Sequence, residues 1–168
     1  ILKSKKNRII IKLNKIPSKS IQSRSCLNGV LEQDVDKKIE NFEDFKVVTK
    51  QSPDNSNSDD LVLASIIAKH TKSNCIVIVK NQQLIGSGMG QVSRIDALDQ
   101  AIEKSKKFGF ELKESSLASD AFFPFSDCVE ISCKNGINSI VQPGGSVRDQ
   151  DSIDFCNENQ MSMVFSGI

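Results

Sequence analysis

Residues Lys72 to Gly88, KSNCIVIVKNQQLIGSG, decide how the chain is to be read. Cys75 to Val79 form an unbroken apolar run, Asn81-Gln82 supply a turn, and Leu84-Ile85 begin a return strand, so the stretch predicts a β-hairpin. The glycine loop GSGMGQ follows it. A helix is then expected from about Ser93 to Lys107, with Ile95, Leu98, Ile102 and Ser105 near helical spacing.

Downstream, Asn135-Gly136 closes a third, shorter helix before the strand INSIVQ. The loop PGGSVRDQ, a helix near Ser152 to Asn157 and a final strand in MSMVFSG complete the chain. Strand and helix alternating from Cys75 onward imply an α/β fold, a parallel or mixed sheet with helices on its faces.

Upstream, Ser58 reads as an N-cap with Asp59 and Asp60 in the first turn, opening a helix that runs to about Thr71. Its apolar residues Leu61, Val62, Ala64, Ile66, Ile67 and Ala68 wrap more than one face, as on a helix laid against a sheet and partly covered again. QSPDNSNS before it has turn chemistry, and KVVTK, NRIIIKL and CLNGVLEQ offer strands.

The 168 residues are 38% hydrophobic and 26% charged with a net charge of +1, which argues against a dominant nucleic-acid or membrane role. Lys3, Lys5, Lys6, Arg8, Lys12, Lys15, Lys19 and Arg24 all precede the first acid, Glu32. They form either a polyanion-binding arm or a solvated basic face, and the second is preferred because no aromatic residue is interleaved to stack on bases. Cys26, Cys75, Cys128, Cys133 and Cys156 are odd in number and irregular in spacing. They read as small buried hydrophobes of a cytoplasmic protein. No apolar run approaches the roughly 20 residues that span a bilayer. A chain that starts at Ile1 and stops at Ile168 inside a strand-like segment reads as part of a longer protein.

Two loops suit ligand chemistry. IGSGMGQVSR sits between a strand and a helix N-terminus, where backbone N–H groups can hold an anion. Alternatively Gly86, Gly88 and Gly90 only permit a tight turn and close packing; Arg94 at its mouth favours a ligand. PGGSVRD is a second such loop beyond a strand's carboxyl end. His70, the single histidine, stands beside Lys69 as a general base or, more plainly, as a helix-end cap. Cys128 and Cys133 lack zinc-site spacing. SDAFFPFSD, Ser119 to Asp127, packs Phe122, Phe123 and Phe125 around Pro124, as a core knot or a binding wall.

AKHTKSNCIVIVKN, IGSGMGQVSRID, SSLASDAFFPFSD, INSIVQPGGSVRD and the ending NQMSMVFSGI together closely resemble the AICAR transformylase part of a bifunctional purine-biosynthesis family that also has IMP cyclohydrolase activity. The resemblance runs from Lys46 to the end and more loosely includes RSCLNGVLEQD. It implies a cytidine-deaminase-like three-layer α/β/α sheet, the second subdomain of the transformylase, over residues 51–168, with residues 1–50 as linker and edge strands. The H-x-E and P-C-x-x-C of zinc deaminases do not occur, so no metal is expected.

The implied reaction moves a formyl group from 10-formyltetrahydrofolate to the 5-amino group of AICAR, giving FAICAR on the route to IMP. By the family's pattern Asn74 sits at the reacting centre and also contacts AICAR, and Arg94 contacts the nucleotide. Ile95, Phe122, Asp127, Ser146 and Val147 line the folate. The implied state is a cytoplasmic homodimer with a shared active site, binding AICAR and folate but no nucleic acid and no membrane. The family's catalytic Lys-His pair belongs to the first subdomain, so Lys69-His70 does not inherit that role. Ser126 stands where the family has Arg in FFPFRD, and the Arg- and His-containing tail lies past the end of this chain. The fragment alone is therefore expected to be inactive. The alternative is a nucleotide- or phosphate-binding or dimerisation module without chemistry.

Overall fold

The computed structural model of the protein describes residues 7, 9–14, 20–38 and 40–167. The chain divides into two units, Ile1–Lys38 and Ile39–Ile168. In the first, β1 (Ile21–Cys26) and β2 (Gly29–Asp34) pair antiparallel, with Ile21 opposite Asp34 and Cys26 opposite Gly29. CLNGVLEQ therefore belongs to two strands and not one, because Leu27 at φ 50 turns the chain back. NRIIIKL also departs from expectation: residues 9–13 form no strand and are exposed, since β propensity without a partner strand builds no ladder. Of the basic run, Lys12 and Arg24 are exposed, and the other six residues lie outside the described ones.

The second unit runs β3 (Lys46–Val47), α1 (Asn55–Lys69), β4 (Ile76–Lys80), β5 (Gln83–Gly88), α2 (Arg94–Lys107), β6 (Ser116–Ser119), α3 (Asp127–Lys134), β7 (Ser139–Gln142), α4 (Asp149–Glu158) and β8 (Ser162–Phe165). These strands form one sheet in the order β3-β8-β7-β6-β4-β5. β6, β7 and β8 are parallel, while β3 and β4 run antiparallel to β8 and β6 and β5 runs antiparallel to β4. The sheet is mixed, as the element pattern predicts. β3, an edge strand within the first 50 residues, bonds to β8 and so belongs to the sheet of the second unit.

The two-residue period of the strands sorts side chains between two cores. Ile76 and Ile78 join Leu98, Leu117, Phe123, Val129 and Cys156 on the face covered by α2, α3 and α4. Cys75, Val77 and Val79 join Leu61, Ala64, Ala68 and Val141 under α1. The result is the expected three-layer α/β/α arrangement.

α1 starts three residues before Ser58, because Asp54 caps it by accepting a hydrogen bond from Asn57 N at 2.7 Å. Asp60, buried, accepts from Asn81 N and Gln82 N at 2.9 and 2.6 Å and so stabilises the β4–β5 turn, whose two residues have φ 53 and 56. β6, SLAS, has no β-branched residue and was not legible as a strand. Its small side chains let α1 approach, and Asn57 Nδ2 donates to Ser116 Oγ at 3.1 Å.

Candidate functional site

Strand direction collects the chain's chemistry at one edge of the sheet. The carboxyl ends of β6, β7 and β8 lie together there. The register sets the start of β4 and the end of β5 beside them, since Ile76 pairs with both Ser119 and Gly88. The segments at Asn74, Gly88–Gln91, Asp120–Ser126 and Pro143–Arg148 all leave the sheet at this edge, and α2, α3 and α4 begin there. It is the edge at which open α/β sheets hold ligands.

Asn74 follows a cis Ser73-Asn74 peptide bond. Its Nδ2 donates to Gln91 O at 2.9 Å, and its backbone pairs with Gln91 in both directions at 3.3 and 3.4 Å. Gly90 N donates to Lys72 O at 2.8 Å, so the two loops are zipped together. Asn74 Oδ1 takes no hydrogen bond among the described residues.

Arg94, the first residue of α2, lies inward. Its side chain is 10% exposed and forms an ion pair through Nη1 with Asp120, itself 13% exposed. Nη1 also donates to Cys75 O at 3.3 Å, and Asp120 Oδ1 accepts from Cys75 N at 2.7 Å. Ile95 is half-buried and packs against the core beneath α2, so its side chain faces inward more than a binding wall would need.

Phe122 is 44% exposed, whereas Phe123 is fully buried in the core. Phe123 N donates to Gln142 Oε1 at 2.8 Å, which fixes the FFPF loop to the end of β7. Phe125 does not join the core knot that FFPF could have formed: it is exposed, and the Arg148 guanidinium stacks 5.1 Å from its ring centroid, joining this loop to PGGSVRD. In that second loop Ser146 Oγ accepts from Arg148 N at 3.1 Å and Val147 is fully exposed. Asp127 opens α3 and accepts from Cys128 N at 2.7 Å.

The glycines divide. A Cβ on Gly88 would lie 1.8 Å from Ala97 O and one on Gly86 2.3 Å from Ala101 O, so these two seat α2 against β5. The close-packing reading of GSG holds for them. Gly90, at φ 65, alone serves the turn.

His70 is exposed and caps α1, its backbone N–H reaching Ile67 O at 3.2 Å. Burial disfavours the thiolate form of the buried cysteines. Burial, followed by the charge of Asp120, pushes the Cys75 thiol up to about 11. Burial, followed by Asp127, pushes Cys128 to about 12, and burial pushes Cys156 to about 12. Among the described residues no group of three or more His, Cys, Asp or Glu side chains is placed to hold a metal ion, and no helix is long and apolar enough to cross a membrane. Two cavities, of about 450 Å³ beside α1 and about 170 Å³ between β5 and Phe108, lie away from this edge.

The edge thus joins Arg94, Asp120 and the Cys75 backbone in one hydrogen-bonded group, with Asn74 next to Cys75 in sequence and bonded to Gln91, while Phe125 and Arg148 link the FFPF loop to PGGSVRD. Asp120 and Gln142 escaped the sequence reading, because an Asp or Gln at the end of a strand looks like any turn residue until its partners are known.

A model of the AICARFT/IMPCHase bienzyme family matches residues 1–104, including the segment before Lys46 where the motifs are weakest. The bifunctional purine biosynthesis protein PurH of Bacteroides thetaiotaomicron is 54% identical over 170 residues, covering 100% of this chain and 33% of its own length. That of Aquifex aeolicus is 50% identical over 140 residues, covering 83% and 27%. The chain therefore spans about a third of the length of the curated relatives it matches. Among solved structures, a diaminohydroxyphosphoribosylaminopyrimidine deaminase/reductase from Thermotoga maritima has a TM-score of 0.46 at 19% identity, covering 61% of this chain and 34% of that one. The dCMP deaminase of cyanophage S-TIM5 has a TM-score of 0.45 at 15% identity, covering 67% and 98%.

Proposed function

The chain belongs to the AICARFT/IMPCHase bienzyme family, and from that premise we propose that this edge of the sheet is half of a formyltransferase site, in a cytoplasmic homodimer whose partner completes it. The relatives are named bifunctional purine biosynthesis proteins, which supports a role in purine biosynthesis. The observation that carries the finer reading is the gathering of Asn74, Arg94, Phe122 and the Ser146-Val147 loop at one strand-end edge.

In this reading the 5-amino nitrogen of AICAR attacks the formyl carbon of 10-formyltetrahydrofolate. A tetrahedral oxyanion forms, the bond from that carbon to N10 breaks, N10 takes up a proton as tetrahydrofolate leaves, and the former amine gives one up. The amine is a weak nucleophile because its lone pair is conjugated with the ring, so orientation is the chief requirement. Asn74 suits that task. With Nδ2 committed to Gln91 O, its Oδ1 can accept from the amine and aim it. Arg94 supplies a cation toward the nucleotide, and Phe122 and Val147 supply apolar surface for a flat pterin.

In the full-length enzyme carrying this chain, Asn74→Ala is expected to lower kcat by about 100-fold while the nucleotide KM stays within about tenfold. Unchanged turnover would sink the enzymatic reading. Loss of nucleotide affinity with no turnover to lose would leave a binding module.

A further inference from the structure

We infer that Asp120 is a positioning residue of this site, setting both the guanidinium of Arg94 and, through Cys75, the placement of Asn74. The inference rests on the formyltransferase reading and adds to it a residue with no assigned role.

Asp120 is the first residue after β6, and its carboxylate lies where three elements meet. Oδ1 accepts from Cys75 N at 2.7 Å and pairs with Arg94 Nη1, while Asp120 N and Arg94 Nη1 both donate to Cys75 O at 3.3 Å. The loop after β6, the start of β4 and the start of α2 are thus tied through the two backbone groups of one residue, Cys75, whose neighbour is Asn74. Arg94 Nε and Nη2 have no acceptor among the described residues.

Charge makes the arrangement informative. A carboxylate beside an arginine that serves an anionic nucleotide repels that nucleotide, so a site built only for affinity would gain by losing it. Its presence is accounted for if the orientation of Arg94 and Asn74 matters more than the added attraction. The pair is also nearly sealed from water, where removing one partner leaves the other charge without compensation.

The two roles predict opposite outcomes for Asp120→Asn in the full-length enzyme. The amide can still accept from Cys75 N but no longer holds Arg94 by charge. Positioning predicts that kcat falls by at least about tenfold, that the nucleotide KM does not fall, and that the folate KM stays within about threefold. In an Arg94→Ala background the same change should cost less than about twofold more, because the two side chains act as one unit. A parent-like kcat, a lower nucleotide KM, additive losses, or a fall in kcat and Tm with a parallel rise in both KM values would each overturn the inference. If the Asn variant does not fold, Asp120→Glu keeps the charge but displaces it, and a parent-like kcat in that variant would equally overturn it. Arg94→Ala alone separates this inference from the reading beneath it. If it leaves the nucleotide KM unchanged, the formyltransferase reading falls and the inference with it. If it raises that KM while Asp120→Asn leaves kcat intact, the inference alone falls.

Discussion

The loop from β5 to α2 and the loop from β7 to α4 look alike in sequence, each a glycine-rich turn between a strand and a helix, and they differ in what their glycines face. Gly86 and Gly88 are pressed against the backbone of α2. That helix also satisfies the outer edge of β5: Ser105 Oγ donates to Ile85 O at 3.1 Å, Lys104 Nζ to Ser87 O at 2.8 Å, and Gln100 Oε1 accepts from Met89 N at 3.2 Å. The glycines of the second loop are different. Gly144 rests on the Phe165 ring, Gly145 has open space around it, and Val147 is fully exposed. One loop is a seat for a helix and the other is presented to solvent, at the same end of the sheet. Glycine spacing alone does not distinguish the two. What separates them is whether the following helix returns over the strand it has just left.

The sharpest way to break this contrast is Gly88→Ala. The new methyl would meet the carbonyl oxygen of Ala97 at 1.8 Å, and that atom belongs to helix backbone, so α2 must shift as a body. The expected cost is about 3 kcal/mol or more. A loss below about 1 kcal/mol in urea unfolding of the intact protein would show that α2 is not held by this contact.

Gly144→Ala should cost less. The backbone at φ +76 disfavours any side chain, but the obstruction, 2.5 Å away, is the ring of Phe165, which can yield. About 2 kcal/mol is expected. Gly145→Ala, at φ +99 with nothing near, should lose only the conformational part, about 1 kcal/mol. Equal losses at the two positions would mean that the Phe165 contact contributes nothing to the shape of the loop.

The same distinction explains what could be read before the structure. The IVIVK strand, the Asn81-Gln82 turn and the start of α2 near Ser93 were legible because apolar run, turn residues and helical spacing are local signals, whereas the cap of α1 fell on Asp54 and not Ser58. β6 was not, since SLAS owes its strand state to two flanking partners and to the close approach of Asn57 from α1. At the candidate site, Arg94 and Phe122 could be picked out by residue type and motif. The inward turn of Arg94 onto Asp120 could not, because it depends on β4 and β6 being neighbours across 45 residues of sequence. Ile95 shows both signals at once: its helical spacing made it a core candidate and the family motif a folate contact, and it is half-buried against the core.

Val147 is where the contrast between the loops becomes a question of function. A fully exposed valine contributes nothing to packing, so Val147→Ala should leave stability within about 0.5 kcal/mol. If the loop meets folate as proposed, the same change removes two buried methyl groups from the complex and should weaken folate binding by about tenfold. Calorimetric titration of the full-length enzyme with a folate analogue measures this directly, with Phe122→Ala as the companion variant on the neighbouring loop. Unaltered affinity in Val147→Ala together with a loss in Phe122→Ala would confine the folate wall to FFPF and leave PGGSVRD as a solvent-facing turn. Unaltered affinity in both would remove the folate from this edge altogether, and the nucleotide role proposed for Arg94 would then rest on its own variant alone.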